Sequence, residues 1–252
     1  MSDPLPPSAV TTPPVHSGRW SRALAWVTGG SRARWLVAGV LLCGVLPAFF
    51  SWPGFPLTSD VRRSWERYWD GVVQRRVDNP WYDYTAEFSP EKNEAKRNFR
   101  FLVPLVGHLT HTGVPGVHVT RFALHALLLV SLVLAAERAC GDRGAALAAA
   151  LAIAGTYVGT SVWRDTCRWF DNCAHAFLAL ALVARSPWLA GGAVLLAGFT
   201  DERSLLIVPL LVLFHVFTGS PRATSVGLAA AVPLYLISRL ALGQASDILT
   251  CT

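Results

Sequence analysis

Charge is what this sequence has least of. Only 15% of its 252 residues are Asp, Glu, Lys or Arg, where a soluble globular domain carries about 25%. Hydrophobic residues make up 52%, and the mean hydropathy is +0.39. That balance excludes a disordered chain, a collagen-like chain and a coiled coil, and it suits an ordinary soluble enzyme poorly. Lysine is almost missing: Lys92 and Lys96 stand alone among 22 basic residues, a bias that a GC-rich coding sequence explains. The net charge of +6 does not indicate nucleic acid, because no basic patch gathers on a soluble module; the arginines are dispersed between apolar runs. CxxC, P-loop, GxSxG and HExxH motifs are also missing, so none of the chemistries they mark is indicated.

What the sequence does contain is a series of apolar runs. Residues 1–34 form a basic N-terminal segment, and its first 18, rich in Pro, Ser and Thr, read as a disordered tail. The first run, 35–52, is bracketed by Trp35 and Trp52 and spans about 27 Å as a helix, close to a bilayer core. It lies far from Met1 and lacks a small-residue cleavage site, so it reads as a span and not as a signal peptide. After a long segment, 53–116, the region 117–243 holds Phe122–Ala136 (extended back to Val117), Ala145–Val162, Asn172–Ala184, Trp188–Phe199, Ser204–Phe217 and Ser225–Leu242, followed by a tail at 244–252. The expected fold is an all-α, polytopic transmembrane bundle of about seven spans.

Asn172–Ala184 and Trp188–Phe199 are shorter than the ~20 residues a straight span needs, so they form either two short tilted spans or one re-entrant hairpin. The positive-inside rule favours two spans. With a cytoplasmic N-terminus, seven spans place Arg138, Arg143, Arg185 and Arg222 in inner loops and Asp165, Asp171, Asp201 and Glu202 in outer ones, with the C-terminus outside. Segment 53–116 then lies outside and is expected to carry two interfacial helices. The first is Ser59–Val77, with Trp65 and Trp69 at i, i+4; a turn follows at Asp78-Asn79-Pro80. The second starts after Ser89-Pro90 and runs through Glu91, Glu94, Lys96 and Arg97 into Phe99–Leu109.

Several residues are candidates for chemistry. Asp60, just beyond the first span, suits either a general base or metal ligand or a helix cap. The loop Trp163–Asp171 carries Arg164, Asp165, Arg168 and Asp171, with His175 one turn below Asp171. Its guanidinium groups suit phosphate; the alternative is an interfacial loop whose charges pair with each other and with headgroups. Asp201-Glu202-Arg203 is either a solvated turn or a functional site at membrane depth. His108, His111 and His118 are too interrupted by Gly113-Val114-Pro115-Gly116 to specify a metal site. His125 and His215 lie within spans. Cys167 and Cys173, six apart on the outer side, are compatible with a disulfide, and Cys43 reads as a packing residue.

The layout resembles bacterial GT-C-type integral membrane glycosyltransferases and their relatives. The likeness rests on an Asp-bearing outer loop after the first span, the segment Asn98-Phe99-Arg100-Phe101-Leu102-Val103-Pro104-Leu105, and Asp201-Glu202-Arg203 leading into Leu205-Leu206-Ile207-Val208-Pro209-Leu210-Leu211. It covers roughly residues 35–217. The resemblance implies a protein of the bacterial cytoplasmic membrane that takes a polyprenyl-phosphate sugar donor at the outer face. Asp60 would act as general base, Arg164, Arg168 or Arg203 would hold the donor phosphate, and Asp171 or Glu202 would position donor or a divalent cation. Beyond membrane lipids and this donor no partner is indicated, and no resident cofactor. Two other readings compete: a non-catalytic subunit of a larger membrane assembly, and a lipid or small-solute transporter with a midplane cavity lined by His125, His175 or Arg239.

Overall fold

The computed structural model describes residues 19–51, 59–84, 100–165 and 169–250. Among them the fold is all-α, with eleven α-helices and one 3-10 helix. In chain order they are α1 (Arg19–Thr28), α2 (Arg32–Ser51), α3 (Ser59–Asp78), α4 (Leu102–Leu109), α5 (Gly113–Cys140), α6 (Arg143–Ala154), α7 (Tyr157–Arg164), α8 (Asp171–Val183), α9 (Pro187–Thr200), the 3-10 helix Glu202–Ile207, α10 (Val208–Phe217) and α11 (Arg222–Thr250). Three helices, α2, α5 and α11, are long and apolar enough to cross a membrane, and α6 with α7 makes a fourth if that bent pair is one span.

The apolar runs become helices where they were expected, and proline and glycine decide their breaks. Ala145–Val162 is not one straight helix. It bends by 52° between α6 and α7, where Gly155 ends one helix and Thr156, extended at ψ −177°, caps the next by accepting from Val158 N at 3.3 Å. Ser204–Phe217 begins as a 3-10 helix because Pro209 has no N–H to give back to Leu205. A helix running on from Glu91 to Leu109 does not form: Arg100 and Phe101 stand outside α4. Pro104, in the first turn of α4, would clash with the Arg100 carbonyl if the helix continued backwards; the stretch 85–99 lies outside the described residues.

The helices join two ends. At one, Arg138 donates to Leu182 O and to Ser220 Oγ, Thr224 Oγ1 donates to Arg185 O, and Arg32 and Arg143 both pair with Glu137. At the other, the first residue of α8 and the last turn of α9 meet the start of α4 through Asp171, Asp201 and Arg100. So α8 and α9, despite 13 and 14 residues, both run from one end to the other.

The interior is packed from small residues. One cluster gathers Ala181, Ala190, Ala193, Ala197, Leu211 and Leu228 from α8 to α11; another packs Trp35 and Cys43 of α2 on Val133, Ala146 and Ala150. The α9–α11 seam is close enough that a Cβ on Gly191 would stand 2.7 Å from Gly227 O. Close backbone approach at small residues is how helices associate where lipid removes the hydrophobic drive. Helix α3 lies over the Asp-bearing end. Its apolar stripe of Trp69, Val72, Val73 and Val77 is buried, with Val73 and Val77 against Val103, Val117 and Phe170, while Trp65 and Tyr68 stay exposed.

Candidate functional site

Two carboxylates and two arginines converge at the Asp-bearing end. Arg100, only 8% exposed, donates from Nη1 to Asp171 Oδ1 at 3.2 Å and from Nη2 to Asp201 Oδ1 at 2.9 Å. Its Nη1 also donates to Trp169 O at 3.1 Å, and its guanidinium lies 4.9 Å from the Trp169 ring centre. Arg203 clasps Asp201 through Nε (3.1 Å to each oxygen) and Nη2 (2.8 Å to Oδ2), and touches Asp171 Oδ1 at 3.4 Å. The Tyr157 hydroxyl donates to Asp171 Oδ2 at 2.9 Å. Unlike Arg100, the Arg203 side chain is 64% exposed.

Local structure sets these positions. Asp201 is the N-cap of the 3-10 helix and accepts from Arg203 N at 3.2 Å, so the turn that caps the helix also aims Arg203 back at its own cap. Asp171 opens α8 after Phe170, whose left-handed φ of 63° turns the chain into the helix. Burial is the largest influence on Asp201 and raises its pKa, but the hydrogen bonds from Arg203 and the charges of Arg100 and Arg203 outweigh it, holding the carboxyl below the usual range. The hydrogen bond to Asp201 in turn leads the influences that raise the pKa of Arg203.

Beside this network is a second pair, Arg121–Asp165, with side chains only 4% and 1% exposed. Asp165 accepts from Trp169 N at 2.7 Å and Phe170 N at 2.8 Å, and Arg121 Nη2 reaches its Oδ2 at 3.5 Å. Asn172 Nδ2 donates to Arg121 O at 3.1 Å. This pair closes the loop between α7 and α8.

Of the residues expected at the site, Asp171, Asp201 and Arg203 come together. His175 lies one turn below Asp171 as expected, its Nδ1 buried without a hydrogen bond and its ring edge-on to Tyr157 at 6.1 Å. Glu202 is half-buried, and its Oε2 has no hydrogen-bond partner. Arg168, the side chain of Arg164 and the side chain of Asp60 lie outside the described residues; the Asp60 backbone is in the first turn of α3. Cys173 is a free, buried cysteine, and Cys167 lies outside the described residues.

Sequence reasoning missed Arg100 and Tyr157; Trp169 lies in the candidate loop Trp163–Asp171. Arg100 had a signal, a lone arginine at the head of an apolar helix, where a charge must find a partner. Tyr157 had none. The histidines are spoken for separately: His108 Nδ1 bonds Val77 O at 2.7 Å, His118 pairs with Asp70 at 3.4 Å, and His111 is an exposed turn residue. Among the described residues no group of three or more His, Cys, Asp or Glu could hold a metal ion; Asp171 and Asp201 are bridged by guanidinium groups instead. His125 is buried in α5 with both ring nitrogens lacking a hydrogen bond. Compared with known protein families, curated proteins and solved structures, the chain matches none.

Proposed function

We propose that this is an integral membrane protein of the bacterial cytoplasmic membrane, whose seven apolar segments cross the bilayer with the Asp-bearing end outside. One fact supports seven crossings: α8 and α9 each join the two ends. The exposed Trp65, Tyr68 and Trp81 beside α3 and the exposed Trp26 and Trp188 at the opposite end suit the two interfacial layers.

The outer end is read as the site for the phosphate of a polyprenyl-phosphate sugar. The observation that carries this is the open arm of the network: Arg203 is mostly exposed, and its 3.4 Å contact to Asp171 is the longest in the cluster. Exchanging that contact for a phosphate leaves Asp201 clasped and Asp171 still held by Arg100 and Tyr157. The reaction is glycosyl transfer. Asp60 takes the acceptor hydroxyl proton, the acceptor oxygen bonds the anomeric carbon, and the polyprenyl phosphate leaves against Arg203. The test is incubation of the purified protein with labelled polyprenyl-phosphate sugars and a set of acceptors. Transfer by wild type, lost in Asp60→Asn and weakened in Arg203→Ala, supports the reading; equal transfer in Asp60→Asn removes Asp60 from it.

A second reading, a non-catalytic subunit of a larger assembly, is favoured by the saturation of Asp201. Its two oxygens accept five hydrogen bonds from Arg100 and Arg203, as a structural latch would. Retained phosphate-lipid binding without transfer to any acceptor would favour this subunit.

A further inference from the structure

Helix α1 belongs to the opposite end and takes no part in the site above. Between Asp3 and Asp60 the chain has no acidic residue, yet it has arginines at 19, 22, 32 and 34. Helix α1 turns into α2 through Gly29, Gly30 and Ser31. The turn is pinned to α6 by Arg143 Nη1, which donates to Gly30 O at 2.8 Å and Thr28 O at 3.3 Å. Val27 packs towards the Trp35 cluster, which fixes the rotation of α1. Arg32 is occupied by Glu137 at 2.9 Å.

Arg34 does something different. It folds back over the turn, donates from Nη2 to Trp26 O at 2.8 Å and places its guanidinium 4.4 Å from the Trp26 ring centre. Gly30 makes room for this: a Cβ there would stand 2.0 Å from Arg34 Nη2. Trp26 remains 60% exposed, and the exposed Arg22 lies one turn before it. An indole held outward beside two cations, next to the start of an apolar helix, matches a phospholipid headgroup layer. There the indole meets the interface and guanidinium groups bond phosphate.

We propose that α1 is a docking helix for anionic phospholipid headgroups, oriented by the Arg34–Trp26 clamp that Gly30 permits. The proposal rests on reading α2 as a membrane span. The test is amide hydrogen exchange of the full chain in lipid nanodiscs of phosphatidylcholine, with and without phosphatidylglycerol. Amides of residues 21–31 are expected to exchange about tenfold more slowly in the anionic discs, the difference shrinking with added salt. Arg22→Gln with Arg34→Gln should remove most of it. Gly30→Ala keeps every charge but displaces the Arg34 guanidinium, and should reduce it as well; an undiminished difference in that variant overturns the clamp. Equal exchange of α1 in both kinds of disc overturns docking. Exchange of the α2 amides reports separately on the span reading: protection in both discs leaves that reading standing when docking fails, and lack of protection removes both.

Discussion

The Arg121–Asp165 pair and the Arg100–Asp171–Asp201–Arg203 network occupy the same end of the bundle, but only the network has an arm in solvent. In the first, both side chains are buried and Asp165 spends its oxygens on the loop's own N–H groups. In the second, Arg100 is buried while Arg203 is mostly exposed. A buried ion pair is by itself weak evidence of function, since removing one partner is costly whatever the pair is for. The difference in exposure is therefore the better guide, and it separates a loop closure from a candidate ligand site.

The largest effect should come from the closed pair. Asp165→Ala takes the buried carboxylate away from Arg121 and frees two backbone N–H groups, so a loss of about 3–5 kcal/mol is expected, read by thermal unfolding in detergent. A loss below about 1 kcal/mol would erase the contrast. Arg100→Ala leaves the two carboxylates to Arg203 and Tyr157 and should cost about 2–3 kcal/mol.

Acid acts on the open network in a defined direction. Asp201 titrates below its unfolded value in the folded protein. Its contribution is therefore present above the unfolded pKa of about 3.9 and lost as pH falls through the lower folded value. Wild type should lose stability below about pH 4, and Asp201→Asn should flatten that part of the profile; an unchanged profile would mean the clasp contributes nothing. Tyr157→Phe removes one hydrogen bond to Asp171 and should cost about 1 kcal/mol. Arg203→Ala should be mildest for folding, at most about 1 kcal/mol because the side chain is exposed. It should be the most damaging for ligand, with binding of a polyprenyl phosphate in equilibrium dialysis falling about tenfold or more. Unchanged binding would return the open network to the same class as the closed pair.

The positions of the helices were legible because burial in an apolar bundle requires long uncharged runs, and those survive in the linear order. Their breaks were less so. Gly155-Thr156 looks innocuous inside Ala145–Val162, and only the capping geometry of Thr156 turns it into a bend. Asp171, Asp201 and Arg203 were legible because charge is scarce and these charges fall between runs. Arg100 was hidden inside a segment quoted for its resemblance, and its partners lie 71 and 101 residues away; spacing carries no information over that distance. Tyr157, whose partner Asp171 is only 14 residues on, was hidden as one aromatic among many.

Helix length varies across the bundle, and that has a consequence for the surrounding lipid. At 1.5 Å per residue the 28 residues of α5 reach about 42 Å, while α8 and α9 reach only about 20 Å each, against a hydrocarbon core of about 30 Å. In the seven-span reading proposed above, hydrophobic mismatch on the α8–α9 side would be met by local thinning of the bilayer. The Asp-bearing end would then lie in a dimple, nearer the midplane than the end of α5. A thicker host membrane would press Asp171 and Asp201 towards hydrocarbon, and acyl-chain length would then be a control on this site that needs no ligand and no mutation.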